Sequence, residues 1–209
     1  MADRVGAVIL AAGLSRRMGR PKMALPWGDT TIVGQVARVL RDAGAAPVVA
    51  VTGGSREAVE AALAGLPVTL AYNPDFANDA MLTSLQVGVR ALPGDAVACL
   101  VALGDQPQIE VEVARAVLAA YRETGAALIV PSYQMRRGHP WLTGRELWPD
   151  LLAMQPPASL KDFLNAHAAL IRYLPVDTSS VLQDIDTPED YRREKGSTSF
   201  PPFSPKASK

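Results

Sequence analysis

Residues 5–22, VGAVILAAGLSRRMGRPK, pass from an unbroken apolar run into a glycine-bearing cationic loop. A short run of this kind, apolar at every position, reads as a strand buried on both faces, and so as part of a parallel sheet. The loop suits an anion. Gly13 and Gly19 can take backbone angles closed to other residues and let main-chain N–H groups approach a ligand, while Arg16, Arg17, Arg20 and Lys22 bring four positive charges into seven positions. The segment fits neither GxGxxG nor GxxxxGK[ST], which excludes the dinucleotide fingerprint and the P-loop as descriptions. A polyphosphate is the ligand it would cradle.

Working outward, residues 5–10, 47–52, 68–72, 96–103, 127–131 and 171–176 form short apolar or β-branched runs separated by helical patterns. Ile32, Val33, Val36, Val39, Leu40 and Ala43 recur at three- and four-residue spacing, and Gly44 stands where such a helix would stop. Val59, Ala62 and Leu63, then Leu82, Leu85, Val89 and Leu92, then Val113, Ala116, Val117 and Ala120 repeat the pattern. Alternation of this kind predicts a three-layer α/β/α, Rossmann-like fold with a mostly parallel sheet. In such sheets ligands gather beyond the C-terminal strand ends, where LAAG (10–13) and GDQP (104–107) both fall. Residues 134–143 are irregular, and with Trp141, Trp148, Pro149, Pro156 and Pro157 nearby they predict an inserted hairpin and short helices, which could serve as a lid. One domain over 1–195 is expected, followed by a disordered Pro/Ser/Lys tail over 196–209.

The chain of 209 residues is 48% hydrophobic and carries 21 basic against 21 acidic residues, so it can bury a sizeable core and has no global field to attract nucleic acid. No stretch of about 18 apolar residues would span a membrane, and no leader pattern opens the sequence, so no membrane partner and a cytoplasmic location are expected. The lone Cys99 lies in an apolar run and reads as a small core residue.

Asp105 follows the run 98–103, so a carboxylate is delivered at the end of a buried strand, a costly place unless it is paired or metal-bound. Asp105 and Asp186 would supply the pair of hard oxygens that Mg²⁺ takes alongside substrate phosphates. Turn chemistry is the competing account of GDQP, and Asp184 competes with Asp186. Thr187 reads as a helix N-cap with Pro188 at the first helical position, which leaves Asp186 outside the helix.

LAAG at 10–13 with Ser15, Arg17, Met18-Gly19, Pro21 and Lys22, then Gly104-Asp105-Gln106-Pro107, then residues 184–191, DIDTPEDY, resemble the nucleotidyltransferases related to the molybdenum-cofactor guanylyl- and cytidylyltransferases, over roughly residues 5–192. The resemblance implies a sheet of the nucleotide-diphospho-sugar transferase type. It also implies a Mg²⁺-dependent enzyme that transfers a nucleoside monophosphate to a phosphorylated acceptor, with pyrophosphate leaving. Leu10, Ala11, Ala12 and Gly13 would approach base and ribose. Ser15, Arg17 and Lys22 would meet the phosphates, Asn73 and Ser84 the nucleoside, and Asp105 and Asp186 the metal, with Arg17, Lys22 and Asp105 catalytic. Arg137 and His139, within RRGHP at 136–140, would lie on the acceptor side. Local accounts stand beside several of these roles: Ser15 as a cap, Asn73 as a turn former before proline, Ser84 as a helix-face residue, His139 as structural. His167 has no motif around it and reads as a helix residue.

LAAG in place of LAGG favours CTP and leaves GTP open. Molybdopterin is the acceptor the resemblance implies, together with transient contact with a molybdoenzyme or its chaperone. Residues 157–162, PASLKD, depart from the glycine-rich stretch of the cytidylyltransferases. A sugar- or polyol-phosphate nucleotidyltransferase therefore stands as an alternative, as does a non-catalytic nucleotide-binding regulator of cofactor assembly.

Overall fold

A computed structural model describes residues 4–77 and 80–195. In chain order its strands are β1 (Arg4–Ala11), β2 (Pro26–Trp27), β3 (Thr30–Thr31), β4 (Val48–Thr52), β5 (Val68–Tyr72), β6 (Ala96–Leu103), β7 (Leu128–Tyr133), β8 (Arg136–Arg137), β9 (Trp141–Gly144) and β10 (Ile171–Pro175). The helices are α1 (Ile32–Asp42), α2 (Arg56–Leu63), α3 (Ala80–Ala91), α4 (Val111–Thr124), α5 (Trp148–Ala153), α6 (Leu160–Ala166) and α7 (Pro188–Lys195). All six predicted strands form, each within two residues of its expected ends.

The main sheet runs β10-β7-β9-β6-β1-β4-β5, with β8 hairpinned onto β7, and β2 and β3 form a separate two-stranded ladder. β1 is central: it pairs in parallel with β4, Ile9 opposite Ala50, and with β6, Ile9 opposite Ala102. Successive β1 side chains point to opposite faces, so the strand feeds two cores at once. Val5, Ala7, Ile9 and Ala11 pack with residues of α1, α2 and α4, and Val8 and Leu10 pack with residues of α3, α5 and α6. The predicted three layers arise from that alternation. Cys99 is fully buried on the second face, where burial pushes its thiol pKa up, as a core residue requires.

The irregular stretch contains more than the predicted hairpin. β9 inserts antiparallel between β6 and β7, which makes the sheet mixed. Trp141, Leu142 and Thr143 are all buried, because a central strand is covered on both faces. The two-residue strands β2 and β3 were not anticipated; runs that short carry no periodic signal. The tail expected over 196–209 lies outside the described residues.

Candidate nucleotide site

Beyond β1 the chain makes two tight 3-10 turns, Arg16–Met18 and Lys22–Ala24. Ser15 (φ 50°) and Gly19 (φ 67°) bracket the first in left-handed conformation. The sequence placed that freedom at Gly13 and Gly19, yet Gly13 is not among the positive-φ residues, and Ser15 carries the turn instead. The Ser15 hydroxyl makes no cap; it accepts from the Lys22 backbone N–H at 3.2 Å and so closes the loop on itself.

Loop and C-terminal segment are fixed to each other by a small core of their own. Met18, Leu25, Ile32, Ile185 and Tyr191 are buried together, Trp27 meets Tyr191 edge-on at 6.4 Å, and the Tyr191 hydroxyl donates to the Pro26 carbonyl at 2.6 Å. The Ile185 N–H donates to the Asp105 carbonyl at 3.0 Å while its side chain is fully buried, so the flanking Asp184 and Asp186 can face the pocket. Gly104 lets the end of β6 lie against β1: its N–H donates to the Leu10 carbonyl at 3.0 Å, and a Cβ there would stand 3.1 Å from the same oxygen. Thr187 caps α7 by accepting from the Asp190 N–H at 3.1 Å, as predicted.

These placements bring opposite charges together. The Lys22 ammonium donates to Asp105 Oδ2 at 2.5 Å and to Asp186 Oδ1 at 2.8 Å, and Arg17 Nη2 donates to Asp186 Oδ2 at 2.7 Å. The Lys22 side chain is only 9% exposed and that of Asp105 16%, so this is a largely desolvated pair in which neither partner is cheaply lost. Burial alone would lower the Lys22 pKa; the charge and hydrogen bond of Asp105, with those of Asp186, outweigh it and hold the ammonium above its ordinary value. Asp184 stands at the rim, where its Oδ1 accepts from Gln106 Nε2 at 2.5 Å. Partial desolvation raises its carboxyl pKa against that hydrogen bond, and the charges of Asp105 and Asp186 add to the rise.

The cavity over this cluster holds about 350 Å³ and is lined by Leu10, Ala12, Gly13, Ser15, Arg17, Lys22, Ser84, Asp105 and Asp186 among the predicted residues. Ala11 and Asn73 are not on its wall. Ala11 is fully buried in the sheet, and the Asn73 side chain is consumed internally: Nδ2 donates to the Thr83 and Ser84 hydroxyls at 2.9 and 3.0 Å, and Oδ1 accepts from the Asp75 N–H at 2.9 Å. Asn73 thus orients Ser84, which does face the cavity. Met23 and Leu103 line the pocket and were missed, since their types at those positions read as ordinary core.

Arg137 and His139 border a neighbouring chamber that shares Met81 with the cavity over Lys22. Gly138 fits between them because a Cβ there would lie 2.6 Å from Val181. The His139 N–H donates to the Val181 carbonyl at 2.9 Å, and burial of its imidazole lowers the pKa to about 4, so the ring is neutral at pH 7. His167 is the helix residue expected, held by the Phe163 carbonyl and Asp150.

The cationic loop and the strand-end carboxylate meet at one end of a mostly parallel sheet, and a model of the MobA-like NTP transferase domain matches residues 7–170. The chain belongs to the MobA-like NTP transferase family. It is 30% identical to the molybdenum cofactor cytidylyltransferase of Escherichia coli K12 over 90% of this chain and 93% of that protein. It is 31% identical to the nicotine blue oxidoreductase of Paenarthrobacter nicotinovorans over 90% of this chain and 95% of that protein. The crystal structure of Rv0371c from Mycobacterium tuberculosis H37Rv superposes with a TM-score of 0.82 at 30% identity, covering 94% of this chain and all of that one, and Rv0371c has also been crystallised with manganese. As a MobA-like protein the chain is a nucleotidyltransferase-family enzyme that takes a nucleoside triphosphate. Among the described residues no helix is long and apolar enough to cross a membrane.

Proposed function

We propose that this protein transfers a cytidylyl or guanylyl group from CTP or GTP to a phosphorylated acceptor, molybdopterin, with release of pyrophosphate. The observation that carries the reading is the convergence of Lys22, Arg17, Asp105 and Asp186 over one cavity at the C-terminal end of the sheet.

A divalent ion fits the donor set. Two carboxylates already flank a cationic group, the Lys22 ammonium, and their oxygens are the hard ligands Mg²⁺ prefers. Asp105 and Asp186 are the residues that would hold it; among the described residues no group of three or more His, Cys, Asp and Glu side chains could hold an ion without help, so phosphate and water oxygens would complete its shell. Bound there, Mg²⁺ supplies charge neutralisation for the phosphates. The manganese complex of Rv0371c supports a divalent ion in the family.

The chain's own residues do the rest. Lys22, held protonated by its two aspartates, and the largely exposed Arg17 present positive charge to the triphosphate, and Ala12 and Gly13 let it lie against the backbone. An acceptor phosphate is ionised at neutral pH, so its oxygen attacks the α-phosphorus directly: a new P–O bond forms, the bond to the β-phosphate oxygen breaks, and pyrophosphate carries the charge away. Positioning and electrostatics suffice, and no general base or covalent nucleophile is required. Arg137 in the adjoining chamber would receive the acceptor.

Similarity to a nicotine blue oxidoreductase, as strong as that to the cytidylyltransferase, leaves the acceptor to be decided by assay. Pyrophosphate release is measured with CTP or GTP, Mg²⁺ and molybdopterin, against sugar and polyol phosphates as competing acceptors. Release with molybdopterin that is lost in Asp105→Ala at unchanged far-UV circular dichroism is the expected result. No release with any acceptor would overturn the proposal in favour of a binding role.

A further inference from the structure

The hairpin joining β7 to β8 has a feature that local stability does not explain. Its register pairs Tyr133 with Arg136, so Gln134 and Met135 form a two-residue loop, and both lie in the left-handed region, φ 48° and 64°. That turn asks for Asn-Gly or a similar pair, because a side chain in this conformation crowds its own backbone. Here the second position instead holds a methionine that is 96% exposed, the most open large apolar residue of the described surface. The position thus combines backbone strain with an apolar side chain left in water.

The surroundings indicate a purpose for that side chain. Met135 stands at the lip of two cavities. One, of about 630 Å³ and so of ligand size, adjoins the nucleotide pocket through Met81, has the buried Trp141 and Leu164 in its wall, and carries Arg137. Arg137 is itself oriented: Nε donates to the Tyr173 hydroxyl at 3.0 Å and Nη1 to Asn165 Oδ1 at 2.8 Å. A chamber whose wall joins Trp141, Leu160 and Leu164 to the cations Arg136, Arg137 and Lys161, with a flexible thioether at its mouth, matches an acceptor that has a flat ring system and an anionic group.

We propose that Met135 is a specificity-determining residue for the acceptor, packing over the ring face of a molecule whose phosphate meets Arg137. This rests on the reading of that chamber as the acceptor site. Strain at the turn is retained because glycine would remove the contact.

The test uses the full chain with CTP or GTP, Mg²⁺ and molybdopterin, and compares Met135→Gly, Met135→Leu and Arg137→Ala. Met135→Gly is expected to raise the unliganded Tm by about 2–4 °C as the turn relaxes, to raise the molybdopterin KM about tenfold and to leave the nucleotide KM unchanged. Met135→Leu should keep the KM within about twofold of the wild type, since it restores apolar contact. A raised Tm with an unchanged molybdopterin KM in Met135→Gly, while Arg137→Ala raises that KM, would overturn the role of Met135 alone. An unchanged KM in Arg137→Ala, or no turnover of molybdopterin by the wild type, would overturn the acceptor chamber and the role of Met135 with it.

Discussion

Lys22 is the residue on which the site turns. Its side chain is nine-tenths buried and its ammonium is held between two carboxylates, so any ligand entering the cavity meets a cation whose charge is fixed in place rather than mobile in solvent. The motif around Lys22 and Asp105 was legible because a glycine-bearing cationic loop and a strand-end aspartate are local features. The Asn73 side chain was legible only in part, because a buried amide spends its donors on whichever hydroxyls the fold brings near, here Thr83 and Ser84. The two histidines carry a residue-scale prediction. In the native state His139 should titrate near pH 4, because burial disfavours its charged form. His167 should titrate above 6.5: burial would lower it, but the Asp150 carboxylate and the Phe163 carbonyl outweigh that. By linkage, His139 costs stability as pH falls from about 6.5 toward 4, where the unfolded chain binds the proton first. The contribution of His167 is complete below about pH 6.5 and is lost as pH rises through its native value. Two-dimensional NMR of the imidazole carbons reads both midpoints, and His139 titrating near 6.5 would show its ring to be solvated.

At the scale of elements, helical spacing located α1 and α4 well, because each buries one apolar stripe against the sheet. The antiparallel insertion of β9 was not visible. Residues 141–144 form a strand of only four residues, and nothing local says whether such a run pairs at an edge or enters the middle of a sheet. Packing of α3 offers an element-scale prediction. Gly88 brings that helix onto β1 and β4 so closely that an added Cβ would stand 2.3 Å from a Val8 methyl and 3.0 Å from one of Val51, both rigid β-branched residues in the core. Although alanine favours helix more than glycine does, Gly88→Ala should therefore destabilise by about 1–3 kcal/mol in urea unfolding. A stabilised variant would mean that the helix can shift outward without cost.

On the scale of the whole molecule, the candidate nucleotide site is assembled from segments more than 160 positions apart, held by the five-residue core around Tyr191. That core lies largely outside the nucleotide cavity, yet it sets the distance between Lys22 and Asp186. Tyr191→Ala should cost about 3–5 kcal/mol, as for other buried aromatic residues, and should also weaken CTP or GTP binding. Isothermal titration below the variant's Tm reads the second effect, and unchanged affinity would show that Asp186 holds its place without this core.

The sequence alone determined the layers of the fold and the cationic loop that follows β1. Both arise from neighbours in the chain: alternation of strand and helix, and a run of cations after a buried strand. Tertiary structure alone decided that Asp186 rather than Asp184 closes on Lys22, that β9 enters the centre of the sheet, and that Met135 reaches the mouth of the second chamber. Those depend on contacts between residues remote in sequence, where the free energy comes from burial and charge pairing that no local pattern encodes.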